Sequence, residues 1–416
     1  MNLFIFLLSL LIILSVSQLM GFLANLVGQP KVVGEMIGGI IMGPTLLGVL
    51  FPQIQEWIFT ENIKDSLYLL SQLGLSLYLF LVGMHVGKEE IKFKDLKIAT
   101  QLAIFGIAPT FLVIFFYTWN LYTNLENPAT TQLIYALFMS ASISVTAFPV
   151  LIRILDQYKM IQTYLGRTII LGASIDDAIA WILLPIIIAL SKFNFSFSSI
   201  SLIWESIIYI SVMFFIIKPF LSFIFKKHST SNTGYFSLLI LIFLFSSLAA
   251  EKIGLHCIFG GFIAGLTVPK NNDLIQNIDN KMSDFVNVLF VPVFFVSSGF
   301  NVNLSNLAGG YNIWAILTFI ILAFATKYFS CMLYARFIGF NWRQASATGA
   351  LMNARGLMIL IFANIGLSIN LISKNDYSVL FLIAIFTTAL TSPLFKFSMH
   401  FKKDADKYEI QKSRVI

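Results

Sequence analysis

Runs of mostly apolar residues, divided by short polar connections, follow one another along the whole chain. A helix of about 20 residues crosses the hydrocarbon of a bilayer. A window of that length finds thirteen spans, at about 2–26, 31–50, 63–86, 95–119, 129–153, 163–190, 200–225, 234–250, 253–269, 283–304, 311–336, 343–370 and 376–398. The opening run, MNLFIFLLSLLIILSVSQLM, has neither the basic start nor the small-residue cleavage site of a secretory signal, so it is read as the first membrane helix. The pattern predicts an all-α membrane protein with thirteen transmembrane helices. Composition agrees: 58% of the 416 residues are hydrophobic and 11% charged, with mean hydropathy +0.85, where soluble domains carry about 25% charged residues.

The connections give the chain a direction. One alternate set holds Lys31; Lys88, Lys92, Lys94 and Lys97; Arg153, Lys159 and Arg167; Lys226 and Lys227; Lys270 and Lys281; Arg336 and Arg343; and a tail with Lys402, Lys403, Lys407, Lys412 and Arg414. The other set holds Lys64, Lys192, Lys252 and Lys374. Nineteen basic residues against four set the first side as cytoplasmic, with the N-terminus outside and the C-terminus inside. The net charge of +7 therefore belongs to membrane-flanking loops and calls for no nucleic acid. No loop is long enough for a soluble domain, so the expected organisation is a membrane domain over 1–398 and a short basic tail over 399–416.

Chemistry-bearing residues are few. Cys257 and Cys331 lie in separate apolar runs without CxxC or other metal-ligand spacing, so neither a disulfide nor a zinc site is expected. Four histidines, with no HExxH and no glycine-rich phosphate loop, leave little from which to build an enzyme, and no cofactor is expected. His85 and His256 are read as interface or packing residues. The frequent Phe, Ile, Lys and Asn and the short loops point to a bacterial inner membrane.

Lys218 and Lys396 lie near enough to helix ends to snorkel to the interface, which leaves four charges to explain deep in the apolar spans: Asp176 and Asp177 in GASIDDAIAW, Lys327 and Arg355. Each costs about 2.5–3.5 kcal/mol to insert, so together they cost on the order of 10 kcal/mol. A structural ion pair accounts equally well for Lys327 or Arg355 alone. It accounts less well for adjacent aspartates, which point about 100° apart on a helix and cannot both meet one lysine. One carboxylate can hold a partner while the other faces a cavity, where burial and nearby cations balance it between binding a proton and binding a small cation.

Two spans carry helix-breaking signals. The fifth reads MSASISVTAFPVLIRIL, with Ser140, Ser142, Ser144 and Thr146 running up to Pro149. Serines that bond their own helix and a proline that only kinks it would give the same wording. The twelfth reads GALMNARGLMILIFANIG, with Asn353 and Arg355 before Gly356. Interrupted helices at corresponding places in two halves point to a transporter site, because free helix ends present dipoles and bare carbonyls to an ion. An inverted repeat of six spans each, joined by the seventh, fits the count.

The chain resembles the monovalent cation:proton antiporter-2 family, with its Kef-type and plant cation/proton exchanger membrane domains. The resemblance rests on GQPKVVGEMIGGIIMGPTLLG at 28–48, LGLSLYLFLVGM at 73–84, SVTAFPVLIRIL at 144–155, LGRTIILGASIDDAIAWILLP at 165–185, IGLHCIFGGFIAGLTVP at 253–269, PVFFVSSGFNVNL at 292–304 and MNARGL at 352–357. It implies the sodium/proton antiporter fold, with crossed discontinuous helices in a mobile core at about 95–190 and 283–398 and a dimerisation scaffold at about 1–86 and 200–269. It further implies a homodimer. By position, Asp177 is implied as the carboxylate shared by proton and cation, Asp176 as the carboxylate paired with Lys327, and Thr146 with Ser144 as part of the ion-binding crossover lining. Arg355, with Asn353 and Pro149, is implied as support at the crossing, Arg355 neutralising helix C-terminal dipoles or Glu35. A plain interfacial glutamate accounts equally well for Glu35.

Many exchanger-type relatives carry Asn where this chain has Asp176. In the wider superfamily Asp-Asp accompanies electrogenic exchange, so the expected activity is Na⁺/H⁺ antiport by an elevator movement, with Li⁺ or K⁺ as further cargo. The motif wording leans instead toward relatives that also move K⁺. The rivals are a K⁺/H⁺ antiporter or Kef-like K⁺ efflux system, which would borrow its regulator from a partner, and a sodium-coupled solute symporter.

Overall fold

The computed structural model describes residues 3–85, 93–123, 130–191, 197–227, 233–304 and 313–399, and every regular element among them is helical. In order these are α1 (Leu3–Leu26), α2 (Lys31–Met42), α3 (Leu47–Leu50), α4 (Pro52–Ile58), α5 (Glu61–His85), α6 (Phe93–Tyr122), α7 (Gln132–Ser144), α8 (Phe148–Gln157), α9 (Tyr164–Ser191) and α10 (Phe197–Val212). There follow α11 (Lys218–Lys227), α12 (Thr233–Ile253), α13 (Cys257–Thr267), α14 (Asn272–Phe285), α15 (Val291–Gly299), α16 (Ile313–Phe337), α17 (Trp342–Leu351), α18 (Gly356–Ser368) and α19 (Lys374–Met399). Wider π-helical turns at Met213–Ile217 and Val286–Phe290 join α10 to α11 and α14 to α15. Lys88, Lys92, Lys192 and the tail from Lys402 to Arg414 lie outside the described residues.

Among the described residues eleven segments are long and apolar enough to cross a membrane. Two further apolar helices, Gln132–Ser144 and Cys257–Thr267, are shorter and fall where the fifth and ninth expected spans lie. The tenth helix starts well before its expected residue 283. Asp273, Asp279, Lys281 and Asp284 make the start of α14 polar, yet Asn271 caps it through Asp273 N at 2.9 Å, Asp279 meets His85 at 2.8 Å, and the crossing segment runs from Asp273 to Gly299.

Packing follows membrane logic, with small residues turned inward and large apolar ones outward. On α1 the buried positions Ser9, Ile13, Ser17, Gly21 and Ala24 recur every three or four residues, one helical stripe, while Leu3, Leu11 and Leu19 face out. The α5–α13 contact is closer still. A Cβ added at Gly261 would lie 2.3 Å from the Ser76 carbonyl oxygen, and one at Gly265 would lie 2.2 Å from that of Phe80. Neither backbone can yield without separating the helices. Gly265→Ala is therefore expected to cost about 1–3 kcal/mol of stability, read as an earlier unfolding midpoint in detergent, and an unchanged midpoint would contradict this packing.

Two segments break in mid-course. α7 stops at Ser144, Val145 to Ala147 run extended, and α8 starts at Phe148 with Pro149 in its first turn, where a missing N–H costs nothing. Pro149 thus opens a second half-helix instead of kinking one continuous helix; its side chain lies outside the described residues. α17 opens with a capping box of Asn341 and Gln344, stops at Leu351, and gives way to α18 at Gly356, whose φ is +21°.

Candidate functional site

Unwound backbone inside a bilayer must find partners within the protein, and the two breaks find them in each other. Ala147 N–H donates to the Ala354 carbonyl at 2.6 Å. Thr388 supplies the cap that α18 lacks, its hydroxyl accepting Gly356 N–H at 3.0 Å. The crossing brings the C-terminal ends of α7 and α17 and the N-terminal ends of α8 and α18 together, concentrating partial charges of both signs.

α9 passes this crossing unbroken and presents Asp176 to it. The Asp176 Oδ1 atom accepts Thr146 N–H at 3.1 Å, and Oδ2 lies 2.9 Å from the Thr146 hydroxyl and 2.7 Å from Lys327 Nζ. The same hydroxyl lies 2.8 Å from the Met352 carbonyl. Having one proton, it donates to one of these two acceptors at a time. Lys327 also donates to the carbonyl of Ser144, the last residue of α7, setting a cation on a helix C-terminus. Thr146, Asp176, Lys327 and Ser144 are wholly buried. An ion pair so deep holds only while both partners stay, because either one alone is an uncompensated buried charge.

Lys327 reaches Asp176 past α6 at Gly106. A Cβ there would meet Cys331 Sγ at 3.0 Å and Lys327 Cε at 3.5 Å. Gly106→Val is expected to push the lysine off its acceptors and lower both exchange rate and unfolding midpoint; wild-type values for both would show that the passage is roomier than this.

Asp177 is different. It is 3% exposed, and its Oδ1 atom has no hydrogen-bond partner from the protein. Turned about 100° from Asp176 around the helix, it lies close enough to Phe148 at the N-terminal end of α8 and to Tyr78 on α5 to interact electrostatically with both. Beyond Tyr78 the charges continue outward. The Arg153 guanidinium lies 6.0 Å from the Tyr78 ring centre and donates to Asn287 Oδ1 in the π-helical turn after α14. Glu35 of α2 lies in the field of Arg153.

The other expected residues divide. Ser140, Ser142 and Ser144 spend their hydroxyls on their own helix, bonding Ala136, Phe138 and Ala141 carbonyls, so Ser144 meets Lys327 through its backbone only. Asn353 bonds the Gly349 carbonyl at 3.1 Å. Arg355 is wholly buried and donates through Nη2 to the Ala323 carbonyl on α16 and, at 3.4 Å, to Asn353; its Nε and Nη1 have no partner. It is not joined to Glu35, whose ion pair is with Lys31 at 3.6 Å, one turn away on its own helix. Sequence reasoning missed Gly106, Tyr78, Asn287, Thr388 and the carbonyls of Met352 and Ala354. In the sequence, Ala323, Ser330 and Cys331 put small residues on the face of Lys327, a signal of close approach, but nothing in them names Gly106.

Residues 8–398 match the family model described as sodium/hydrogen exchanger, transmembrane. The chain is 35% identical over 406 residues to the Na⁺/H⁺ antiporter NhaS4 of Synechocystis sp., covering 94% of this chain and 97% of that protein. It is 32% identical to K⁺/H⁺ antiporter 1 of Saccharomyces cerevisiae over 94% of its own length, but spans 46% of the yeast protein. It likewise spans about half of its plant relatives, such as cation/H⁺ antiporter 20 of Arabidopsis thaliana. In fold it is similar to the sodium proton antiporter MjNhaP1 from Methanocaldococcus jannaschii, with a TM-score of 0.66 and 17% identity over 96% of this chain and 98% of that one. On the family match and the full-length relative together, the chain belongs to the sodium/hydrogen exchanger family.

Proposed function

We propose that the chain is a multi-pass Na⁺/H⁺ antiporter in which Asp177 is the carboxylate that proton and cation share. The observation that carries this reading is the contrast between neighbours: Asp176 is engaged on both oxygens by Lys327 and Thr146, while Asp177 Oδ1 is buried with no partner. A buried carboxylate with one oxygen unpartnered gains from binding a proton or a small dehydrated cation, and cannot hold both. Competition for one carboxylate links the two fluxes without a separate gate. Na⁺ is placed ahead of K⁺ because the Synechocystis relative matched over nearly its whole length is named a Na⁺/H⁺ antiporter, whereas the Saccharomyces cerevisiae K⁺/H⁺ antiporter is matched over about half.

The finer reading is that of the monovalent cation:proton antiporter-2 family: thirteen spans with the N-terminus outside, inverted repeats, and a homodimer in a bacterial inner membrane. The core, at about 95–190 and 283–398, carries the crossing past a scaffold at about 1–86 and 200–269. The helix α15, which packs on α2 and α5, stands at the seam between them. Thr146 and the bared carbonyls of the breaks stand in for part of the cation's hydration shell.

Asp176 decides the charge moved. If a cation held by Asp177 also draws on Asp176, it displaces Lys327 Nζ from Oδ2 and frees a second proton, so charge crosses with each cycle. If the pair stays closed, one Na⁺ exchanges for one H⁺ and no charge moves. We assign the first. In liposomes with an imposed pH gradient, Na⁺-evoked proton flux should depend on membrane voltage in the wild type, while Asp176→Asn should keep exchange and lose the voltage dependence. Voltage-independent flux in the wild type would reject the assignment.

A further inference from the structure

The turn between α12 and α13 holds side chains that the antiport reading does not use. We propose that Glu251, His256 and Cys257 form a binding site for a divalent transition-metal cation of the Zn²⁺ class. One ligand atom from each lies within 4.8 Å of the other two. The spacing matches no standard metal signature, and the sequence accordingly gives no hint of it; the fold of the turn makes it. Gly254, at φ +87°, reverses the chain, and His256 is held at φ +74° and ψ 139°, outside the left-handed helical region that residues other than glycine occasionally adopt. That conformation turns the imidazole onto its neighbour's thiol, with Nδ1 3.8 Å from Cys257 Sγ. Four ligands around Zn²⁺, at about 2.0–2.3 Å from the metal, stand about 3.3–3.8 Å from one another, so this pair is already at a ligating distance.

Glu251 closes the group from the last turn of α12. Its Oε2 atom accepts Cys257 N–H at 2.7 Å, which holds the carboxylate beside the thiol. The donor set is one thiolate, one imidazole and one carboxylate. This soft and borderline combination suits Zn²⁺ and Co²⁺ and gives Mg²⁺ or Ca²⁺ little reason to bind. Two negative ligands balance a divalent charge, and three protein ligands leave a fourth position for water. Glu251 is exposed and the other two are half-buried, so a metal has a way in. The Cys257 carbonyl accepts the Ser76 hydroxyl at 2.9 Å, so the site is anchored to α5 as well.

The test is optical and does not depend on transport. Chelator-stripped full-length protein in detergent is titrated with Co²⁺. The expected result is one Co²⁺ per chain with the thiolate-to-metal absorption and d–d bands of a tetrahedral site, displaced by Zn²⁺. Cys257→Ser should abolish the thiolate band. Cys331→Ser should keep it, since Cys331 is fully buried on α16. Glu251→Gln and His256→Asn should each weaken binding at least about tenfold. A wild-type protein without the band, or a band that survives Cys257→Ser, overturns the site. Should a ligand variant fail to elute as folded protein, alkylation of the wild type decides: Zn²⁺ should protect Cys257 from a maleimide, and labelling at the metal-free rate rejects the proposal.

Discussion

Asp177→Asn is expected to reduce cation-evoked proton flux in liposomes to the background of empty vesicles, with Na⁺, Li⁺ or K⁺. Asparagine has the shape of aspartate but neither binds the proton nor neutralises a dehydrated cation, so both fluxes lose their carrier together. The same variant should unfold at the wild-type midpoint or above it. Asp177 Oδ1 has no partner to lose, and removing a buried charge removes its desolvation cost. Loss of transport with stability kept is the signature of a functional carboxylate. Normal exchange by the variant would remove Asp177 from the mechanism, and a collapse in stability would make it structural.

The opposite signature is expected one residue earlier. Lys327→Met leaves Asp176 as an uncompensated buried charge and the Ser144 carbonyl without its cation. Breaking one side of a buried pair costs about 3–5 kcal/mol, a large part of the 5–15 kcal/mol typical of a whole protein. Denaturation in detergent should show this as an early unfolding midpoint. The double variant Lys327→Met with Asp176→Asn should recover most of it, because the pair disappears along with its desolvation cost. If the double variant is as unstable as the single one, Lys327 contributes through its contacts with α7 and not through the ion pair.

The sequence made much of this site legible, though unevenly. Adjacent aspartates among apolar residues identify themselves, because nothing else offsets their insertion cost. The pairing of Asp176 with Lys327, more than 150 positions apart, came from the family resemblance and from no spacing, and the 2.7 Å contact agrees with it. The polar run before Pro149 marked the break at the right place, but it carried three serines whose hydroxyls stay on their own helix and one threonine that bridges to Asp176. Residue type could not separate them, since both arrangements satisfy a hydroxyl. The carbonyls of Ser144, Met352 and Ala354 were beyond reach for a simpler reason: every residue has one, and only an unwound backbone bares it. Arg355 was legible as buried support, whereas its bond to Ala323 and its separation from Glu35 depend on helix packing. Boundaries failed where charge and span overlap, as in α14, whose acidic residues hide the start of a helix that continues into the apolar α15.

The most direct test of the shared carboxylate is the apparent KM for Na⁺ as a function of pH, measured from initial proton flux in liposomes with the voltage clamped. Proton and cation competing for Asp177 require KM to rise as pH falls, by at least about tenfold per pH unit once the site is mostly protonated and more steeply where the second proton also competes, while the maximal rate reached at saturating Na⁺ stays level. A KM that ignores pH while the maximal rate changes would mean that proton and cation bind at separate places, and the account built on Asp177 would be wrong.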